Sequence, residues 1–182
     1  MSLPNMITIG RILLVPLTVW LIITGQFPAA FLVFIVAGIS DAVDGFIAKH
    51  FGQTTELGAY LDPIADKLLL VSIYISLGFL NELPPWVVIL VVSRDILIIG
   101  AVLLSWLVDK PVKVQPLVVS KINTVAQIVL ACLVLAALAF GLALNSVILL
   151  CAIAVGILTV LSGAAYMREW LRHMANGLTG SP

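Results

Sequence analysis

Residues 28–79 read PAAFLVFIVAGISDAVDGFIAKHFGQTTELGAYLDPIADKLLLVSIYISLGF, two apolar runs that meet across a polar centre holding four aspartates. The spans 28–50 and 59–79 are continuous in Ala, Ile, Leu, Val and Phe. They lack the period-two alternation of a barrel strand, and each matches the roughly 20 residues that cross a bilayer as a helix. Asp41, Asp44, Asp62 and Asp66 lie inside those runs. One Asp at the centre of a membrane helix costs about 2.5–3.5 kcal/mol, so four together require positive compensation.

Further apolar runs occupy 6–24, 84–107, 121–142 and 146–169, with breaks at Gly, Pro and polar clusters. Of 182 residues, 62% are hydrophobic and 10% charged. A soluble domain carries roughly 25% charged residues, so this composition excludes one, and it equally excludes a disordered chain. Nine Lys and Arg balance nine Asp and Glu, leaving no basic field to gather nucleic acid. The expected fold is an all-α integral membrane protein of six transmembrane helices, a single domain over 1–182. Arg11 lies within the first run and nothing basic precedes it, so that run is expected to stay as a helix. Residues 179–182 read as a frayed tail. Cys132 and Cys151 sit in apolar runs without metal-ligand spacing and are expected as free thiols.

Basic residues set the orientation, because Lys and Arg accumulate on the cytoplasmic side. Arg11, Lys49, Lys110, Lys113, Lys121, Arg168 and Arg172 all fall at alternate helix ends, whereas the connections 24–27, 81–84 and 141–145 contain neither Lys nor Arg. Both termini are therefore expected in the cytoplasm, with the aspartates at the cytoplasmic ends of the second and third helices. At 1.5 Å per residue, Asp44 and Asp62 lie roughly 6–7 Å deep, and Asp41 and Asp66 roughly 12 Å. The i,i+3 and i,i+4 spacings place each pair on one helical face. Protons, basic side chains or metal ions could occupy such a cluster. Lys49 and Lys67 are too few to neutralise it, and Lys67 points about 100° away from Asp66. Carboxylate ligands without His or Cys favour Mg²⁺, Mn²⁺ or Ca²⁺ over zinc. Gly45, Ala48 and Gly58 leave room for a phosphate to approach, or for helices to pack closely.

Written alone, 41–66 is DAVDGFIAKHFGQTTELGAYLDPIAD. It resembles the CDP-alcohol phosphatidyltransferase family, whose signature is D-x2-D-G-x2-A-R-x8-G-x3-D-x3-D. Every spacing matches, and Lys49 stands where the family usually has Arg, which keeps the charge and loses the bidentate fork. The resemblance implies transfer of a phosphatidyl group from CDP-diacylglycerol to an alcohol with release of CMP. It implies that Asp41, Asp44, Asp62 and Asp66 hold Mg²⁺ or Mn²⁺, two ions in all, and that Asp66 is also the general base. Asp41, Asp44, Gly45, Ala48, Lys49 and Gly58 would line the CDP pocket, bordered by Asn5 and Thr8. A homodimer in a bacterial inner membrane, or an equivalent organelle inner membrane, is also implied.

A second polar set could receive the acceptor. Ser120, Asn123, Thr124 and Gln127 follow i, i+3, i+4, i+7 on the fifth run, with Lys121 beside them. Arg94 lies well inside the fourth run, next to Asp95. An intramembrane Arg marks a functional site by default; the plainer alternatives are an interhelical salt bridge for Arg94 and interfacial snorkelling for Lys121. Arg94, Lys121, Asn123 and Thr124 are the candidate acceptor-binding residues, and their charge favours an acceptor that carries its own phosphate. The segments around Pro4–Arg11, Ser93–Asp95 and Ser120–Gln127 resemble the family members that make cardiolipin, which implies phosphatidylglycerol as acceptor. Glycerol-3-phosphate meets the same electrostatic demand. An ion transporter is the alternative from another class, but the apolar outer halves of most runs suit a one-sided pocket better.

Overall fold

A computed structural model describes the backbone of residues 3–51, 56–107 and 118–179, and the side chains of residue 10 and of 12–40, 67–101 and 118–172. Six helices fill it: α1 (Leu3–Ile23), α2 (Phe27–Phe51), α3 (Glu56–Phe79), α4 (Pro85–Leu107), α5 (Val118–Phe140) and α6 (Asn145–Thr179). Their number and order agree with the six runs. The sixth helix continues ten residues past the expected end at 169. Apolarity stops there, but Arg168, Glu169, Leu171, Arg172 and Met174 are good helix formers, and backbone hydrogen bonding needs no apolar face.

The three connections without basic residues are tight turns built on left-handed backbone, with φ of 74° at Gly25, 60° at Asn81 and 65° at Gly141. The first two are Schellman caps. Gln26 N–H donates to the Leu21 carbonyl and Gly25 N–H to Ile22, while Glu82 N–H donates to Leu77 and Asn81 N–H to Gly78. Carbonyls that a helix end would leave unpaired are thereby satisfied. At the third turn, Leu142 N–H donates to Ala137 in the same way.

Around the bundle the helices pack in the order α1, α2, α5, α6, α4, α3 and back to α1, and α3 also touches α5 across the middle. Among the described residues α2 and α3 do not pack on each other; α1 and α5 bridge them. The core at the α3–α5 crossing contains Ile73, Tyr74, Leu77, Leu130 and Val134, all essentially excluded from the surface. Tyr74 O–H donates to the Gln127 carbonyl at 3.0 Å and ties the two helices together. The outer surface is apolar instead of charged, with Leu13, Leu32, Phe79, Ile89, Val118 and Leu150 exposed. Val118–Phe140 and Asn145–Arg172 are each long and apolar enough to cross a membrane. Ile12–Ile23, Phe27–Ser40 and Lys67–Phe79 are shorter apolar stretches.

Close approach of α4 and α6 depends on a missing side chain. A Cβ added at Gly156 would lie 2.6 Å from the Trp86 ring, whereas one at Gly100 would meet nothing within 4 Å. Gly156→Leu should therefore cost about 1–3 kcal/mol through overpacking. Its thermal midpoint in detergent should fall, and that of Gly100→Leu should stay at the wild-type value.

Candidate active site

The motif residues are distributed over three helices: Asn5 and Thr8 on α1, Asp41, Asp44, Gly45, Ala48 and Lys49 on α2, and Gly58, Asp62 and Asp66 on α3. Their side chains lie outside the described residues. One residue beyond Asp66 the described side chains resume with Lys67, and from there a buried polar network crosses four helices.

At its centre, α4 places Arg94 and Asp95 inside the bundle, 4% and 6% exposed. Asp95 Oδ1 accepts from Arg94 Nη1 at 2.6 Å and from Lys67 Nζ of α3, also at 2.6 Å. Arg94 Nη2 donates to Ser162 Oγ of α6 at 2.8 Å and to Ser120 Oγ of α5. The Arg94 guanidinium also sits 5.7 Å from the centre of the Tyr166 ring, within cation–π range. Gly163 gives its stem room, with the Arg94 Cγ 3.8 Å from where a Cβ would stand. Burying one ion costs several kcal/mol unless it is paired and hydrogen-bonded. Among the described residues a single carboxylate compensates two cations.

On α5, Ser120, Asn123 and Gln127 turn inward and are buried. Asn123 Oδ1 accepts from Thr159 Oγ1 of α6 at 3.0 Å. Thr124 is exposed and donates to the Ser120 carbonyl one turn back, and Lys121 is exposed. The four expected acceptor residues thus occupy different environments. Arg94 and Asn123 bond within the bundle, Thr124 faces a cavity, and Lys121 lies on the surface. Three buried donors, Arg94 Nε, Asn123 Nδ2 and Gln127 Nε2, have no acceptor among the described residues.

The cavity, about 510 Å³, occupies the gap between α2 and α3. Phe34, Leu70 and Ile128 contribute apolar wall, and Lys67, Asp95, Thr124 and Gln127 contribute its polar part. Sequence reasoning set Lys67 aside and did not identify Thr159, Ser162 or Tyr166. These last three follow i, i+3, i+7, a polar stripe on α6 that periodicity could have revealed. No group of three or more metal-ligating side chains occurs among the described residues. The donor set of the motif, four carboxylates, is of the type that suits a hard divalent cation.

A family model described as CDP-alcohol phosphatidyltransferase matches residues 1–158. The chain is 35% identical over 158 residues to the cardiolipin synthase (CMP-forming) of Homo sapiens, covering 78% of this chain and 52% of that protein. It is also 35% identical over 158 residues to CDP-diacylglycerol–glycerol-3-phosphate 3-phosphatidyltransferase 1, chloroplastic, of Oryza sativa, covering 78% and 48%. Identity to a probable phosphatidylglycerophosphate synthase of Mycobacterium tuberculosis is 32% over 179 residues, covering 95% and 83%. The chain thus spans about half the length of the human and rice relatives it matches.

Removing the shared carboxylate strands two cations. Asp95→Ala should destabilise the protein by about 3–5 kcal/mol, whereas Ser162→Ala, which removes one neutral acceptor from Arg94, should cost about 1 kcal/mol. Thermal unfolding of the two variants in the same detergent checks the order.

Proposed function

This chain belongs to the CDP-alcohol phosphatidyltransferase family, and from that premise we propose that it transfers a phosphatidyl group from CDP-diacylglycerol to phosphatidylglycerol, forming cardiolipin and CMP. The observation that carries the choice of acceptor is the cavity between α2 and α3, about 510 Å³ with apolar walls and a polar part at Lys67, Asp95, Thr124 and Gln127. A lipid acceptor needs a place for its chains beside the reacting headgroup; a water-soluble acceptor does not. Gln127 Nε2, which has no acceptor among the described residues and belongs to the cavity lining, likewise favours a ligand with oxygen acceptors.

In this reading all six helices span the membrane, both termini and the site face the cytoplasm, and the protein is a homodimer of a bacterial inner membrane or an equivalent organelle membrane. Asp66 takes the proton of the acceptor hydroxyl as its oxygen attacks the phosphorus that bears diacylglycerol. The bond from that phosphorus to the bridging oxygen breaks on the far side, and CMP leaves. Gly45, Ala48 and Gly58 leave space for the nucleotide, and Lys49 offers a cation to its phosphates. Mg²⁺ or Mn²⁺ held by Asp41, Asp44, Asp62 and Asp66 would neutralise charge on the pyrophosphate. Leu21, Ile22, Leu77, Leu83 and Val87, all buried, keep the outer end of the bundle apolar, which favours a one-sided enzyme over an ion pathway.

Glycerol-3-phosphate is the second reading, favoured by the mycobacterial relative, whose match covers 95% of this chain. Purified protein offered CDP-diacylglycerol with each acceptor should yield CMP and cardiolipin, read by mass; phosphatidylglycerophosphate forming while phosphatidylglycerol is ignored would reverse the acceptor. Asp66→Asn keeps the shape and loses the proton acceptor, so turnover should drop about 10²–10⁴-fold with retention of CDP-diacylglycerol binding. Wild-type turnover that persists in excess EDTA would exclude the divalent-ion part of the reading.

A further inference from the structure

We propose that Lys67 holds the phosphate of the lipid acceptor while an acyl chain of the same molecule lies in the cavity between α2 and α3. This rests on the acceptor reading above and deepens it, because Lys67 lies outside the family motif. Lys67 directly follows Asp66, the residue assigned to the acceptor hydroxyl. Its ammonium carries three donors, of which one is bound to Asp95 Oδ1 at 2.6 Å. The side chain is 36% exposed and lines the cavity.

Charge selects the occupant. Among the described residues, Lys67, Arg94 and Asp95 sum to one surplus positive charge, and the two cations share a single carboxylate oxygen. Arg94 is only 5% exposed at its side chain and turns toward Ser120, Ser162 and Tyr166. Of the two cations, Lys67 is therefore the one that presents the surplus to the cavity. A cation beside apolar walls attracts an anion far more strongly than it would in water.

The cavity also matches the rest of such a molecule. Thr124 and Cys132 both line it, and eight residues of α5 rise roughly 12 Å, close to the ~15 Å half-thickness of the hydrocarbon layer. Gly38 lines the α2 wall, and a Cβ there would meet nothing within 4 Å, so the space beside it is open. The location favours the acceptor over the donor. Gly45, Ala48, Lys49 and Gly58 of the nucleotide pocket lie nearer the helix ends, whereas Lys67 lies further along α3 and bonds to α4.

The test uses the full-length protein, CDP-dioleoylglycerol as donor and dioleoylphosphatidylglycerol as acceptor. Lys67→Met should raise KM for dioleoylphosphatidylglycerol about tenfold or more, with kcat and KM for CDP-dioleoylglycerol within about threefold of wild type. Arg94 still pairs with Asp95 in that variant, so no buried carboxylate is orphaned. Lys67→Arg should restore acceptor KM, which a packing role for the side chain would not require. Gly38→Leu, which fills open space, should raise KM for dioleoylphosphatidylglycerol and leave KM for the dihexanoyl form unchanged. An unchanged acceptor KM in Lys67→Met, or a rise confined to CDP-dioleoylglycerol, overturns the proposal. Equilibrium binding of fluorescent dioleoylphosphatidylglycerol to wild type and Lys67→Met keeps the test independent of turnover. Loss of binding in Lys67→Met supports the site even if no acceptor yields CMP, and equal binding refutes it even if cardiolipin forms.

Discussion

One buried carboxylate serving two cations is the constraint on which this bundle depends. In lipid, helices gain little from burying apolar surface against each other, because the chains around them are equally apolar; packing and polar contacts decide which helices meet. Asp95 brings Lys67 of α3 to α4, and Arg94 extends the same contact to Ser120 of α5 and Ser162 of α6. Desolvating these charges is costly in any other arrangement, so the network selects one register among many that hydrophobic matching would tolerate. Its α3 member, Lys67, is the residue that follows the motif in sequence.

The count and order of the helices were legible in the sequence because they depend on local properties: apolar length, and breaks at Gly25, Asn81 and Gly141 where left-handed backbone is needed. The ring order was not legible. The outward faces of α1 to α6 are as apolar as the inward ones, so no periodicity distinguishes a neighbour from lipid. For the site, carboxylate type and spacing pointed to cation chemistry, and the family match agrees with the reaction class that the motif implied. Lys67 was passed over because a helical wheel turns it about 100° from Asp66. That same angle directs it to Asp95 and the cavity. Arg94 likewise read as a phosphate ligand or a structural ion pair, and the described geometry shows the ion pair. Ser162 and Thr159 escaped notice because hydroxyls in apolar helices often only bond back to their own carbonyls, as Thr18 does to Leu14.

The gap between α2 and α3 departs from what their shared motif suggests. Adjacent helices contributing matched aspartates would be expected to pack along their length, yet among the described residues they are separated by a cavity and bridged by α1 and α5. A space shaped this way combines a charged end with an apolar flank. Gln127, whose Nε2 has no acceptor among the described residues, adds polarity to that flank.

The three short left-handed turns carry a consequence for biogenesis. They divide the chain into helical hairpins α1–α2, α3–α4 and α5–α6. The two acid-bearing helices belong to different hairpins, and before synthesis reaches α5 only α1 joins them. Arg94 must likewise wait for Ser120 and Ser162, both in the last hairpin. The buried polar network is therefore the last part of the molecule to be completed, and a nascent chain lacks it until α5 and α6 have been made.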